Sequence, residues 1–246
     1  GNAQSGYSSV RLWGSLGWAV LVFIAGLLIE RLGLQLAFIG YAVMMLGSVL
    51  IINTLHYRAS PSGEKMLVDV NMSLRDEWRE LLRDRALLAL AIALSVVWLA
   101  TNGLRQFEPV YMKMLGAGES VIGLASTIGA LPELLAMLWA DRLVKRHGAG
   151  KILQLSFILD VIRFAGVLIV PAVPAILISR GISGLSYSFY VVALTVFIRD
   201  HSRAGRVTMM LAVFTVTLPS LINIIGGPAG GWMFDQFGAY WLYAIS

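Results

Sequence analysis

Two apolar runs joined by a short basic turn, from Val121 to about Val173, constrain this chain more than any other stretch. Each run is close to the ~20 residues that a helix needs to cross ~30 Å of hydrocarbon. The turn between them, Asp141 to Lys151, carries Arg142, Lys145, Arg146 and Lys151, which predicts that it stays on the cytoplasmic side. Inside the runs stand Glu133, Asp160 and Arg163. A charge at that depth is costly, and by default it marks a solute or proton path.

The rest of the chain has the same character. Of 246 residues, 58% are hydrophobic and 13% are charged, with a mean hydropathy of +0.77. A soluble domain of this size carries about 25% charged residues, so the polytopic membrane class follows. A net charge of +5 could suggest nucleic acid, but the basic residues cluster in loops on one side of the spans, and no nucleic-acid partner is expected. There is no cysteine, which excludes disulfides and thiolate metal sites. His56, His147 and His201 fall in predicted loops and form no ligand cluster, so neither a metal nor a cofactor is expected.

The apolar pattern predicts seven complete spans and the start of an eighth: 12–29, 36–55, 87–111, 120–140, 152–172, 174–198, 207–234, and 239 onward. The runs are continuous, without the ten-residue alternation of a barrel, so the fold class is all-α. Lys and Arg set the orientation. Fourteen of the 19 fall on one side: Arg11, six over 56–86, four over 141–151 and three over 199–206. Only Arg31 and Lys113 fall on the other, while Arg105, Arg163 and Arg180 lie within spans. That bias puts the segment before the first span inside. The chain opens in a polar lead and stops in an apolar run, so we expect a piece of a longer protein, preceded by an even number of spans, four in all.

One long connection divides the spans. Within 56–86, Ser73 with Asp76 three residues on reads as a helix N-cap. Leu74, Trp78, Leu81 and Leu82 then share a helical face, giving either an amphipathic helix on the membrane surface or a solvated helix packed on loops. A weak repeat agrees with this division: Gly26, Glu30 and Gly33 recur as Gly231, Asp235 and Gly238. Parallel six-helix repeats are a transporter architecture. The expected domains are 1–55, the end of an N-terminal six-helix half; 56–86, the connecting loop; and 87–246, a C-terminal half whose last helix is truncated.

At 1.5 Å per residue Glu133 lies about 10 Å, Asp160 about 12 Å and Arg163 about 16 Å from the cytoplasmic ends of their helices. Asp160 and Arg163 are one turn apart and can pair. A structural ion pair with a lone acid is one reading; a solute site with Glu133 as proton carrier is the other, which we favour. Arg105 and Glu108 read as an interfacial pair, with Pro109 breaking the helix after them. Trp98, Asn102 and Gln106 would line a cavity if they face inward. Ser183 and Ser186, with Tyr187 and Tyr190, supply hydroxyls. Gly14 and Gly17, and the overlapping pairs among Gly226, Gly227, Gly230 and Gly231, read as packing faces. No nucleophile elbow, phosphate loop or zinc motif is present, so no enzyme is expected.

Arg11-Leu-Trp-Gly-Ser-Leu-Gly-Trp18 resembles the start of the fifth helix in one branch of the major facilitator superfamily. That branch holds lactose permease, nucleoside–proton symporters and phenylpropionate permeases. The turn with Asp141, Arg142, Lys145, Arg146 and Gly148 resembles the superfamily's loop motif between the eighth and ninth helices, but Met137 and Val144 stand where its glycines would be. Glu133-Leu134-Leu135 is similar to the sugar-permease eighth helix with its essential Glu, and Arg163 matches an essential Arg of the ninth. The His and acid of the tenth helix are replaced by Ser183 and Ser186, so proton coupling would fall to Glu133 or Asp160.

The resemblance implies a major facilitator type fold covering helices five to twelve. It implies a secondary transporter, with a small polar or organic solute and protons as partners in the bilayer of a bacterial inner membrane, acting as a monomer by alternating access. Trp98, Asn102, Gln106, Glu133, Arg163, Ser183 and Ser186 are its candidate cavity residues, and Arg11, Asp141 and Arg142 its cytoplasmic gating motif. A proton-driven exporter and a non-transporting membrane protein are the alternatives.

Overall fold

The computed structural model describes residues 17–18, 20–54, 81–202 and 206–245. Every regular element among them is helical. In chain order these are α1 (20–32), α2 (Gln35–Thr54), α3 (Arg85–Met114), α4 (Glu119–His147), α5 (Ala149–Ile169), α6 (Val173–His201), α7 (Val207–Phe237) and α8 (Ala239–Ile245). Six of them, α2 to α7, are long and apolar enough to cross a membrane. The chain is therefore an all-α polytopic membrane protein. The expected first span is described only as α1, and the eighth as the seven residues of α8. Arg11 and residues 73–80 of the helix expected in the connection lie outside the described residues; its end, 81–83, is described and helical, with Leu81 buried in the core and Leu82 exposed.

Several boundaries differ from the sequence pattern because helices continue past their apolar runs. Pro109 does not end α3, which runs on to Met114. A membrane helix tolerates an interior Pro where neighbours and local adjustment satisfy the freed backbone group. The expected turn at 141–151 shrinks to Gly148, whose φ of +87° is readily adopted only by glycine. Lys145, Arg146 and His147 form the last turn of α4, where cations complement the helix dipole. His147 and His201, expected in loops, each place Nδ1 against the carbonyl four residues back, at 3.3 and 2.9 Å. The 29 residues of α4 and of α6 span about 44 Å each.

Helix α6 is the centre of the bundle and packs on both α4 and α5. Small residues permit this. A Cβ at Gly184 would run into the Gly129 carbonyl of α4. Ser188 Oγ donates to the Glu133 carbonyl of α4 at 2.8 Å, and Ser186 Oγ to the Ser156 carbonyl of α5 at 2.9 Å. Helix α7 packs on α3 through its glycines: Gly226 against Asn102, Gly230 against Gly103 and Gly231 against Phe107. Phe107 and Phe234 stack beside them, with ring centroids 4.9 Å apart. Helix α1 meets α4 where Gly26 faces Gly123, and Glu30 Oε2 accepts the Ser120 backbone N–H at 3.0 Å.

The buried apolar residues form two clusters. One joins Leu87 and Leu94 of α3 to Ile152, Ile198 and Phe214. The other joins Leu104 and Met112 of α3 to Phe164, Val167, Ile176 and Tyr243. The first lies toward the end that carries Arg142, Lys145, Arg146, Lys151 and Arg199. Along their helices Glu133, Asp160, Arg163 and Arg180 fall between the two clusters, while Arg105 and Glu108 lie level with the second, between Leu104 and Met112.

Candidate functional site

All six charged residues predicted inside spans 87–198 line one cavity of ≈ 400 Å³. They come from four helices: Arg105 and Glu108 from α3, Glu133 from α4, Asp160 and Arg163 from α5, and Arg180 from α6. Ser183, Ser186, Tyr187 and Tyr190 of α6, Trp98 of α3 and Trp18 line it as well. A second cavity of ≈ 680 Å³ holds Asn102, Gln106, Asn223, Thr215 and Phe214. Trp98, Arg105, Tyr187 and Tyr190 line both, so α3 and α6 supply the wall that the two share. Both volumes suit a small solute.

Two ion pairs organise the first cavity. Arg163 Nε donates to Asp160 Oδ1 at 2.7 Å, joining residues one turn apart on α5. The Arg163 side chain is only 5% exposed, and its guanidinium lies 3.9 Å from the centroid of the Phe164 ring. The second pair corrects the sequence expectation. Glu108 does not pair with Arg105; it pairs with Arg180 of α6. Glu108 is 4% exposed and also accepts the Tyr243 hydroxyl at 3.2 Å. Its partners lie on other helices, and no local spacing could have pointed to them. Among the described residues Arg105 makes no ion pair, and its side chain is exposed.

The predicted cavity residues thus divide between two chambers. Glu133, Asp160, Arg163, Ser183 and Ser186 line the first, Asn102 and Gln106 the second, and Trp98 both. Ser186 is buried, and its hydroxyl is used by the α5 carbonyl. The side-chain amide of Asn102 donates to Asn223 of α7, a residue the sequence reading did not single out. Val213–Thr217 of α7 is a π-helical turn that brings Phe214 and Thr215 to the second cavity. Such turns are frequent at functional sites. Asp141 and Arg142 are exposed on the last turns of α4 and line neither cavity.

Residues 1–245 match the sequence profile of the MFS_1 like family. The chain is 24% identical to an uncharacterized transporter, YwbF, of Bacillus subtilis (strain 168), over 97% of this chain and 59% of that protein. It is 24% identical to a maltose permease of Geobacillus stearothermophilus, over 96% of this chain and 56% of that one. It is 23% identical to a probable 3-phenylpropionic acid transporter of Escherichia coli (strain K12), over 97% and 62%. The chain therefore spans 56% to 62% of the lengths of these relatives.

Proposed function

This chain belongs to the MFS_1 like family, within the major facilitator superfamily, and we propose that it forms the greater part of a proton-coupled solute symporter. The single observation that carries this reading is the convergence of six charged side chains from four helices on one cavity. Charges in hydrocarbon are expensive, and a fold that needed only stability would replace them with apolar residues.

In this reading a small polar or organic solute enters the cavity, and Glu133 is the carboxylate that takes up a proton on one side and releases it on the other, with Asp160 as the other candidate carrier. Arg163, held by Asp160 and Phe164, is a fixed positive charge facing the solute. Trp98, Asn102, Gln106, Ser183 and Ser186 complete the lining. Helices α1 and α2 close an N-terminal six-helix half over 1–55, residues 56–86 connect the halves, and 87–246 form the second half. That arrangement counts seven spans and the start of an eighth, and it lets the halves rock about a central site. Arg11, Asp141 and Arg142 belong to the cytoplasmic gate, and the protein works as a monomer in a bacterial inner membrane. The gene-encoded full-length protein in sealed vesicles provides the test. Adding the solute outside should drive proton uptake with it; solute uptake that leaves internal pH unchanged would contradict the coupling.

A further inference from the structure

We propose that the transported solute is a small organic monocarboxylate, and that Arg105 is the residue that receives its carboxylate. This rests on the transport reading above and narrows it to a substrate class.

The three cations on the charged cavity differ in what they face. Arg163 has Asp160 at 2.7 Å, and Arg180 has Glu108. Each is matched by an acid of the protein. Arg105 makes no ion pair among the described residues and presents an exposed side chain where the two cavities share a wall. A guanidinium keeps its proton in proteins, so this charge is permanent. Its planar fork matches a carboxylate with two parallel hydrogen bonds. An uncharged sugar offers that fork no carboxylate to bind. A phosphate dianion would call for a second cation, and the other two on this cavity are engaged by Asp160 and Glu108.

The surroundings define the rest of the solute. Trp98, Asn102 and Arg105 follow one another at spacings of four and three on α3, so they share one face. The Asn102–Asn223 amide pair and Gln106 line the larger chamber, with Tyr187 and Tyr190 of α6 on its walls. A carboxylate on Arg105 therefore leaves the solute's body among aromatic rings and amides, which suits an aromatic or hydroxylated acid. Glu133 lines the charged cavity with Arg105. An arriving negative charge favours its protonated form, which would link solute to proton.

The test is ligand binding to the purified full-length protein, read by tryptophan fluorescence and by melting temperature. The probes are 3-phenylpropionate, benzoate, lactate and gluconate, the amide of each acid, maltose, and glycerol 3-phosphate. At least one acid should bind, its amide roughly tenfold or more weaker. Arg105→Gln should lose roughly tenfold or more in acid affinity, while Arg105→Lys recovers part of it. Should Arg105→Gln not fold, the comparison of acid with amide on the unaltered protein decides alone. Equal binding of acid and amide, binding by maltose or the phosphate ester alone, binding by none of the probes, or acid affinity unchanged in Arg105→Gln would each overturn the proposal. Uptake assays separate it from the reading beneath it. Sugar uptake without acid binding leaves a transporter and removes the carboxylate; acid binding with no uptake of any solute does the reverse.

Discussion

Glu108 of α3 and Arg180 of α6 are 72 residues apart in sequence and form an ion pair inside the bundle. Tyr243 of α8 adds a hydrogen bond to the same carboxylate, so three helices are fixed at one buried acid. Removing one partner strands the other charge, whereas removing both does not. Glu108→Gln should lower the stability of the detergent-solubilised protein by roughly 3 kcal/mol, and the double variant Glu108→Gln/Arg180→Gln should recover part of that loss. Melting curves of the four proteins would decide this. A double variant as unstable as the sum of the singles would mean that the two residues do not act as a pair.

The glycines of α6 and α5 make opposite predictions. At Gly184 a side chain meets the α4 backbone, so Gly184→Leu should cost about 3 kcal/mol or prevent assembly. At Gly166, in α5, a Cβ meets nothing within 4 Å. Gly166→Ala should be neutral or stabilising by about 0.5–1 kcal/mol, through helix propensity alone. Expression level and melting temperature of the two variants test the packing directly; equal effects would contradict the close approach of α6 to α4.

On α5, the Asp160–Arg163 pair separates structural from functional roles. If Arg163 serves only to neutralise Asp160, the double variant Asp160→Ala/Arg163→Ala should transport better than Arg163→Ala alone, because the stranded acid is gone. If Arg163 faces the solute, as its place on the cavity suggests, both variants should be equally inactive while inserting normally. Uptake measured at matched protein levels distinguishes the two.

Between α1 and α4, Glu30 accepts the Ser120 N–H in the first turn of α4. Gly118, the N-cap residue of α4, offers no side chain for that purpose, so an acid from another helix serves as the cap. Glu30→Ala should weaken the α1–α4 contact by about 1 kcal/mol. Hydrogen exchange of the amides over 119–122 should rise in that variant, and unchanged protection would rule the cap out.

Much of the fold was legible because hydrocarbon imposes a simple rule on length and polarity. The spans at 36–55, 152–172 and 174–198 lie close to α2, α5 and α6, since long apolar runs leave little freedom in placing them. Ends were less legible. The last turns of α4 are basic and read as loop, yet charges there favour a helix C-terminus. The Asp160–Arg163 pair was visible because both residues sit on one turn of one helix. Glu108 with Arg180, and Asn102 with Asn223, join separate helices, and only tertiary packing selects them. The i,i+3 spacing of Arg105 and Glu108 even pointed to the wrong partner. Ser186 looked available for a solute, but whether a hydroxyl meets a ligand or a neighbouring carbonyl depends on a contact 30 residues away.

In the proposed function the charged cavity couples a solute to a proton through Glu133. The most direct measurement compares solute-driven proton uptake by the full-length protein and by Glu133→Gln, in vesicles carrying equal amounts of inserted protein. Proton-linked uptake should be present in the first and lost in the second, with insertion and melting temperature unchanged. Normal proton-linked uptake by Glu133→Gln would rule out Glu133 as the proton carrier.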